Sequence, residues 1–211
     1  MKALLTLSGL IDRVNLWLGK IILWLVLGAV LISAGNAILR KAFNIGSNAW
    51  LEIQWYLFAG VFMLGVGYVM LKNGHVRIDF ISSKLTKRTN AIIDAIGIVV
   101  FTIPLALIMV WLGWPLFERA WSTGEMSENA GGLIRWPVLA LLPAGFAILA
   151  AQALSELIKR IAFLKGQLAD PFTDFEEKSE EEQIAEALAV EVAQRELALA
   201  GAAGKAPMTT K

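Results

Sequence analysis

Few side chains in this sequence could perform catalysis or hold a cofactor. His75 is the only histidine and cysteine is absent, so the chain alone cannot supply two imidazoles to a haem or a histidine-rich or thiolate site to zinc. Asp79, Ser82 and Ser83 lie near His75 in the sequence. A Ser-His-Asp triad is recognised by its geometry, however, and such adjacency of common residues often occurs by chance. The sequence therefore predicts no catalytic residue, no cofactor and no metal site.

Glu52 is a carboxylate with an unusual position. It lies between Trp50 and Trp55 at the start of an apolar segment, where tryptophan rings favour the level of the lipid headgroups. Two interpretations stay open: the carboxylate faces water at the interface, or it accepts a buried hydrogen bond or ion pair from a partner subunit. An exposed carboxylate at that depth costs little, so cost does not separate them. Glu125 and Glu128, further along the chain, are expected to be solvated.

Four apolar segments position these residues. The sequence has 211 residues, of which 57% are hydrophobic and 18% charged, a balance that a soluble domain of this length could not bury in one core. A spanning helix needs ~20 mostly apolar residues. The segments run from about residues 16 to 39, 51 to 71, 92 to 117 and 137 to 158. We therefore predict an all-α integral membrane protein with four transmembrane helices.

The centres of the four segments contain no charged residue. Lys20 lies near the edge of the first segment and can extend its ammonium group to the interface, while Asp94 and Glu156 lie near segment ends. Ionisable residues inside a membrane usually mark ion or substrate paths, so this chain alone offers no evident route for a charged solute. Trp24 and Trp111 lie deeper than the other tryptophans and are expected to pack between helices.

Lys and Arg residues are distributed unequally between the flanks of the segments. Ten lie on one side: Lys2, Arg13, Lys72, Arg77, Lys84, Lys87, Arg88, Lys159, Arg160 and Lys165. Four lie on the other side: Arg40, Lys41, Arg119 and Arg135. Because cytoplasmic flanks carry the excess of Lys and Arg, both termini are predicted to be cytoplasmic, with the first and third loops outside.

The chain becomes acidic after the fourth segment. Between residues 170 and 196 there are ten Asp or Glu residues against two basic ones. Frequent Ala, Leu and Glu favour a helix over about residues 179 to 200, and residues 201 to 211 are expected to be disordered. We therefore divide the chain into a four-helix membrane domain, residues 1–165, and an acidic cytoplasmic tail, residues 166–211.

The second loop contains the most specific pattern, Gly74-His75-Val76-Arg77-Ile78-Asp79-Phe80-Ile81. Polar and apolar residues alternate here, so the segment could lie along the cytoplasmic interface with its apolar side chains pointing inward. Alternatively, it is a solvated basic loop that only fixes the topology. Arg77 and Asp79 could pair locally in either case.

This motif resembles the small membrane subunit of tripartite ATP-independent periplasmic transporters, the DctQ-like subunit. The resemblance covers about residues 10 to 165. It rests on the four spans and on five sequence features: Glu52, the glycine-spaced second helix that ends in the loop motif, Gly124-Glu125-Met126-Ser127, Pro137, and Pro143-Ala144-Gly145. The acidic tail is not part of the family pattern, so its role stays open.

The resemblance implies a non-catalytic subunit of an ion-coupled secondary transporter for organic acids in the bacterial inner membrane. Its implied partners are a large multi-span transporter subunit, a periplasmic solute-binding protein and membrane lipid; the net charge of +1 gives no argument for nucleic acid. Candidate residues for subunit interfaces are Glu52, Trp55, Gly74, His75, Arg77, Asp79 and Glu125. The alternative is a four-helix structural subunit of another membrane complex, such as an energy-transducing assembly.

Overall fold

The computed structural model describes residues 2–73 and 85–168, together with Leu188. The first two ranges contain four long helices: α1 Lys2–Phe43, α2 Asn48–Leu71, α3 Lys87–Thr123 and α4 Trp136–Leu164. Each is long and apolar enough to cross a membrane, and the described residues form no strand. The prediction of an all-α protein with four transmembrane helices is confirmed. Apart from Leu188, the acidic tail from residue 169 onward lies outside the described residues.

Helix α1 starts well before the predicted boundary. It has 42 residues and begins at Lys2, whereas the apolar pattern alone begins near residue 16. The added turns carry Ser8, Asp12 and Asn15, which face α4 and bond to it. At 1.5 Å per residue the helix is ~63 Å long, about twice the hydrocarbon thickness of a bilayer.

Helix α3 contains a short π-helical segment, Ile98–Thr102, between two α-helical parts. Helix α3 begins after Thr86, whose Oγ1 accepts a hydrogen bond from the Thr89 N–H at 3.2 Å. The buried residues of α3 are Ala91, Ile98, Ala106, Gly113 and Ala120. Their spacing is seven residues except across the π segment, where it is eight. A π turn holds one more residue than an α turn, so the segment keeps these side chains on one face.

Helix α4 is the centre of the bundle, because it packs against α1, α2 and α3. Helix α1 also packs against α2, and α3 packs mainly against α4. Glycines allow the closest approaches. A Cβ at Gly145 of α4 would lie 2.6 Å from the carbonyl oxygen of Met63 in α2, and one at Gly67 would overlap the Asn15 side chain. Small residues therefore set the distances between these helices, as is common in membranes.

Trp24 and Trp111 do not pack between the helices of this chain, so that expectation was wrong. Each has 73% of its surface exposed. In α1 the bundle-facing positions are spaced by seven residues and include Asn15 and Ala29, both buried. Trp24 lies two residues after one of these positions, Ile22, and is therefore turned by about 200° to the opposite face. In a membrane such a face meets lipid or another chain.

Candidate functional site

One face of α2 holds the loop between α3 and α4. Asn48, Glu52 and Tyr56 are four residues apart, so they line one side of the helix near its N-terminus. The Asn48 Nδ2 donates a hydrogen bond to the carbonyl of Ala130 at 3.0 Å, and the Tyr56 hydroxyl donates one to the carbonyl of Ile134 at 3.0 Å. We call these three side chains, with loop residues 124–135, the loop clasp.

Glu52 is the centre of the loop clasp. Its carboxylate accepts hydrogen bonds from the Ser127 hydroxyl, from Asn129 Nδ2 at 2.8 Å and from the Leu133 N–H at 2.6 Å. The residue is only 8% exposed. A Cβ at Gly132 would lie 2.8 Å from Glu52 Oε1, so the absence of a side chain there lets the loop close around the carboxylate. All these donors come from the same chain.

The loop itself is a short hairpin. The Ser127 N–H donates to the carbonyl of Leu133 at 2.8 Å, and the Arg135 N–H donates to that of Glu125 at 2.9 Å. The side chains of Glu125 and Arg135 also form an ion pair. Gly131, at the turn, has a φ of +71°, a conformation that side chains other than glycine disfavour. The hairpin is thus held both internally and by α2.

The loop clasp displays apolar side chains on its outer side. Met126 and Ile134 face each other in an isolated antiparallel bridge, and both are exposed. Trp55, on α2 between two clasp residues, is also exposed. The carboxylate of Glu52, by contrast, is turned inward and engaged by donors of the loop.

A second polar cluster joins α1 to α4, and we call it the polar network: Ser8, Asp12, Asn15, Asp94, Gln152, Ser155, Glu156, Lys159 and Arg160. Asp12 of α1 accepts hydrogen bonds from Gln152 Nε2 at 2.9 Å and Ser155 Oγ at 2.8 Å, and pairs with Lys159 at 3.2 Å. The two serine hydroxyls, of Ser8 and Ser155, lie 2.7 Å apart. Asn15 Nδ2 donates to Gln152 Oε1 at 2.7 Å.

Glu156 and Arg160 extend the polar network to α3. Lys159 Nζ lies 2.5 Å from the Glu156 carboxylate, and Arg160 Nη1 lies 2.6 Å from it. Arg160 Nη2 also reaches Asp94 Oδ2 of α3 at 3.3 Å. Three carboxylates and two cations thus compensate one another where three helices meet. Such pairing is what allows charges to be buried near a membrane boundary.

The two polar clusters are separated by most of the membrane. Asn15 packs against Gly67 of α2, which is fifteen residues from Glu52 on the same helix. That spacing corresponds to ~22 Å along the axis, less than the ~30 Å of a hydrocarbon core. At least one cluster therefore reaches into the hydrocarbon region, where the three donors to Glu52 and the acceptors of the Asn15 Nδ2 group offset part of the cost of burial.

The structure describes three of the seven residues predicted at subunit interfaces. Glu52 is neither in open water nor dependent on another chain, Glu125 pairs with Arg135, and Trp55 is exposed. The remaining four, Gly74, His75, Arg77 and Asp79, lie outside the described residues. For all seven the interface role stays a prediction.

The polar network was missed by the sequence reasoning. A signal was present, because Ser8, Asp12 and Asn15 recur at i, i+4 and i+7, and Gln152, Ser155, Glu156 and Lys159 recur at i, i+3, i+4 and i+7. Two polar stripes at helical spacing on otherwise apolar helices predict that the stripes face each other.

In the described ranges, no group of three or more histidine or carboxylate side chains is arranged to hold a metal ion.

Comparison with known protein families identifies the family of this chain. The family model "Tripartite ATP-independent periplasmic transporters, DctQ component" matches residues 29–163, well over half of the chain. The chain belongs to the DctQ family. Neither the curated proteins nor the solved structures contain a match to it. DctQ subunits are small membrane components of transporters and work with a large membrane subunit and a periplasmic binding protein.

This DctQ chain is therefore a transporter component of the bacterial inner membrane, and the resemblance given by its sequence motifs is confirmed. The matched residues include the whole loop clasp and the α4 half of the polar network. The α1 half, Ser8 to Asn15, precedes the match.

Proposed function

We propose that this DctQ chain is a non-catalytic scaffold: it binds the large transport subunit within the membrane and presents the loop clasp to the periplasmic solute-binding protein. The loop clasp is the observation that carries the proposal. A partner that docks repeatedly needs a surface already held in one conformation, because ordering a loop during binding lowers affinity. Three side chains of α2 hold this hairpin, and Met126 and Ile134 are exposed on it.

The charge bias supports the side on which docking occurs. The excess of Lys and Arg lies at the end of the bundle that contains the polar network, so the loop clasp faces the periplasm under the positive-inside rule. A water-soluble partner then meets the hairpin directly, while Trp55 marks the adjacent headgroup level. The termini are cytoplasmic in this arrangement.

The outward face of α3 supports binding of the large subunit. Helix α3 packs mainly against α4, and its outward face carries large apolar side chains that no described residue covers, including Phe101, Leu105, Leu112 and Trp111. The large subunit moves the organic acid and the coupling ion, since the span centres here contain no charged residue. Gly74, His75, Arg77 and Asp79 are proposed as further contacts of the large subunit on the cytoplasmic side.

Replacing Glu52 tests the scaffold role. In Glu52→Gln an NH₂ group takes the place of one acceptor oxygen and faces donors of the loop, so the hairpin loosens. In the reconstituted complex we expect the concentration of binding protein that gives half-maximal uptake to rise severalfold. The amount of large subunit that co-purifies and the affinity of the binding protein for its solute should not change.

Glu118→Gln is the matched control, because it makes the same change of charge at an exposed residue of α3, near the same end of the bundle but outside the loop clasp. Uptake by this variant should follow the wild type. If Glu52→Gln left the dependence on binding protein unchanged and instead shifted the half-saturating solute concentration, Glu52 would belong to the substrate path and the scaffold proposal would be wrong.

A further inference from the structure

The outward face of α1 carries two cations among exposed apolar side chains. Arg13 and Lys20 are both exposed, and Trp17 between them is 61% exposed. Seven residues separate the two cations, so they lie within about 20° of each other around the helix and ~10 Å apart along it. Asp12, the only acidic residue of α1, faces α4 and is engaged in the polar network. The described residues provide no anion for this pair.

The depth of Lys20 favours an anionic partner for it. Ile22 packs against Gly65 of α2, six residues before that helix ends at Leu71, so Lys20 lies roughly 6 Å inside the level of that end. Its flexible stem can carry the ammonium back toward the boundary, where Arg13 is already located. The charged groups of Arg13 and Lys20 can then lie at the same depth in the membrane. The indole ring of Trp17 lies beside them.

We propose that Arg13 and Lys20 bind the phosphate of an anionic phospholipid, with Trp17 at its glycerol level and its acyl chain along α1. The charges are complementary, because two cations without a carboxylate beside them favour a lipid of net negative charge over a zwitterionic one. The next outward positions of α1, Leu23, Trp24 and Leu27, are exposed and apolar, as a surface for an acyl chain requires. The proposal rests on the membrane location of the helices and on neither docking role given above.

Native mass spectrometry of the purified full chain, with any chain that co-purifies, tests the proposal. Bound lipid is counted during titration with phosphatidylglycerol, and parallel titrations use phosphatidylcholine and glycerol phosphate. We expect Arg13→Gln and Lys20→Gln each to weaken binding of phosphatidylglycerol by about fivefold, and the double variant by about 25-fold. Lys20→Arg should bind as the wild type does. Phosphatidylcholine and glycerol phosphate should bind weakly to every variant.

Arg40→Gln/Lys41→Gln is the control, because it removes two exposed cations from the other end of the same helix. These neighbours point about 100° apart, so they cannot flank one headgroup, and binding should stay at the wild-type level. Equal loss in this control, wild-type binding by the double variant, or equal affinity for phosphatidylcholine would overturn the proposal. So would loss of a co-purifying chain from the double variant with phosphatidylglycerol binding intact, since the cations would then pair with a protein carboxylate.

Discussion

The loop clasp and the polar network are both built around buried carboxylates, but they differ in what surrounds those carboxylates. Glu52 accepts hydrogen bonds from neutral donors of a surface loop. Glu156 faces two cations and lies between helices. If Glu52 is lost, the donors of the exposed loop can turn to water. If Glu156 is lost, the charges of Lys159 and Arg160 stay near the hydrocarbon, and each has one carboxylate partner fewer. The clasp therefore shapes a surface, whereas the network holds the bundle together.

The loop clasp and the polar network are expected on opposite sides of the membrane, and labelling of single cysteines should show the largest contrast between them. The chain contains no cysteine, so single cysteines report without background. In intact cells, Glu128→Cys in the loop of the clasp should react with a membrane-impermeant thiol reagent. Thr86→Cys, before α3, should react only after lysis. Reaction at Thr86 in intact cells, with Glu128 protected, would reverse the orientation.

Removing the carboxylate of the polar network should cause the largest loss of stability. Glu156→Ala removes the carboxylate that both cations contact. Lys159 then keeps only Asp12 and Arg160 keeps only Asp94, so we expect a cost of ~1–3 kcal/mol. Unfolding of the detergent-solubilised protein, followed by circular dichroism, measures the change. Glu118→Gln, at an exposed position of α3, should be close to wild type. A loss no greater than that of Glu118→Gln would contradict a structural role for the network.

A smaller effect is expected at the edge of the loop clasp. Tyr56→Phe removes the hydrogen bond to the carbonyl of Ile134 and keeps the ring, at a cost of ~0.5–1.5 kcal/mol to the docked loop. Hydrogen exchange of the amides in residues 125–135 should become faster, while exchange in α4 stays unchanged. Tyr68→Phe, on the same helix outside the clasp, is the control. Faster exchange throughout α4 would show that the clasp also stabilises the bundle.

The four spans could be predicted because length and apolar content are local properties of the sequence. The start of α1 could not be, because Ser8, Asp12 and Asn15 resemble an aqueous segment until their partners on α4, more than 130 residues away, are known. The same holds for Glu52, whose position was noted but whose donors lie 75 or more residues along the chain. Polar contacts between distant segments are set by helix packing, which hydropathy does not describe.

The outward orientation of Trp24 and Trp111 was also missed, for a related reason. Depth in the membrane was used to infer packing, but depth says nothing about which side of a helix a residue occupies. The position relative to the buried residues of the same helix decides this. In α1 those are small or polar residues at seven-residue spacing, including Asn15, Ala29 and Asn36, and a search for large apolar residues overlooks them.

The π segment of α3 also determines which changes of length the helix tolerates. Ile98–Thr102 contains one residue more than the seven-residue spacing of the α4-facing side chains needs. A chain with one residue fewer here would keep Ala91 and Ala106 on the same face of an unbroken α-helix. One residue fewer elsewhere in α3 would turn every later position by about 100° and move Gly113 and Ala120 away from α4. The segment is thus the one stretch of α3 where deletion of a single residue leaves the helical phase of the remainder intact.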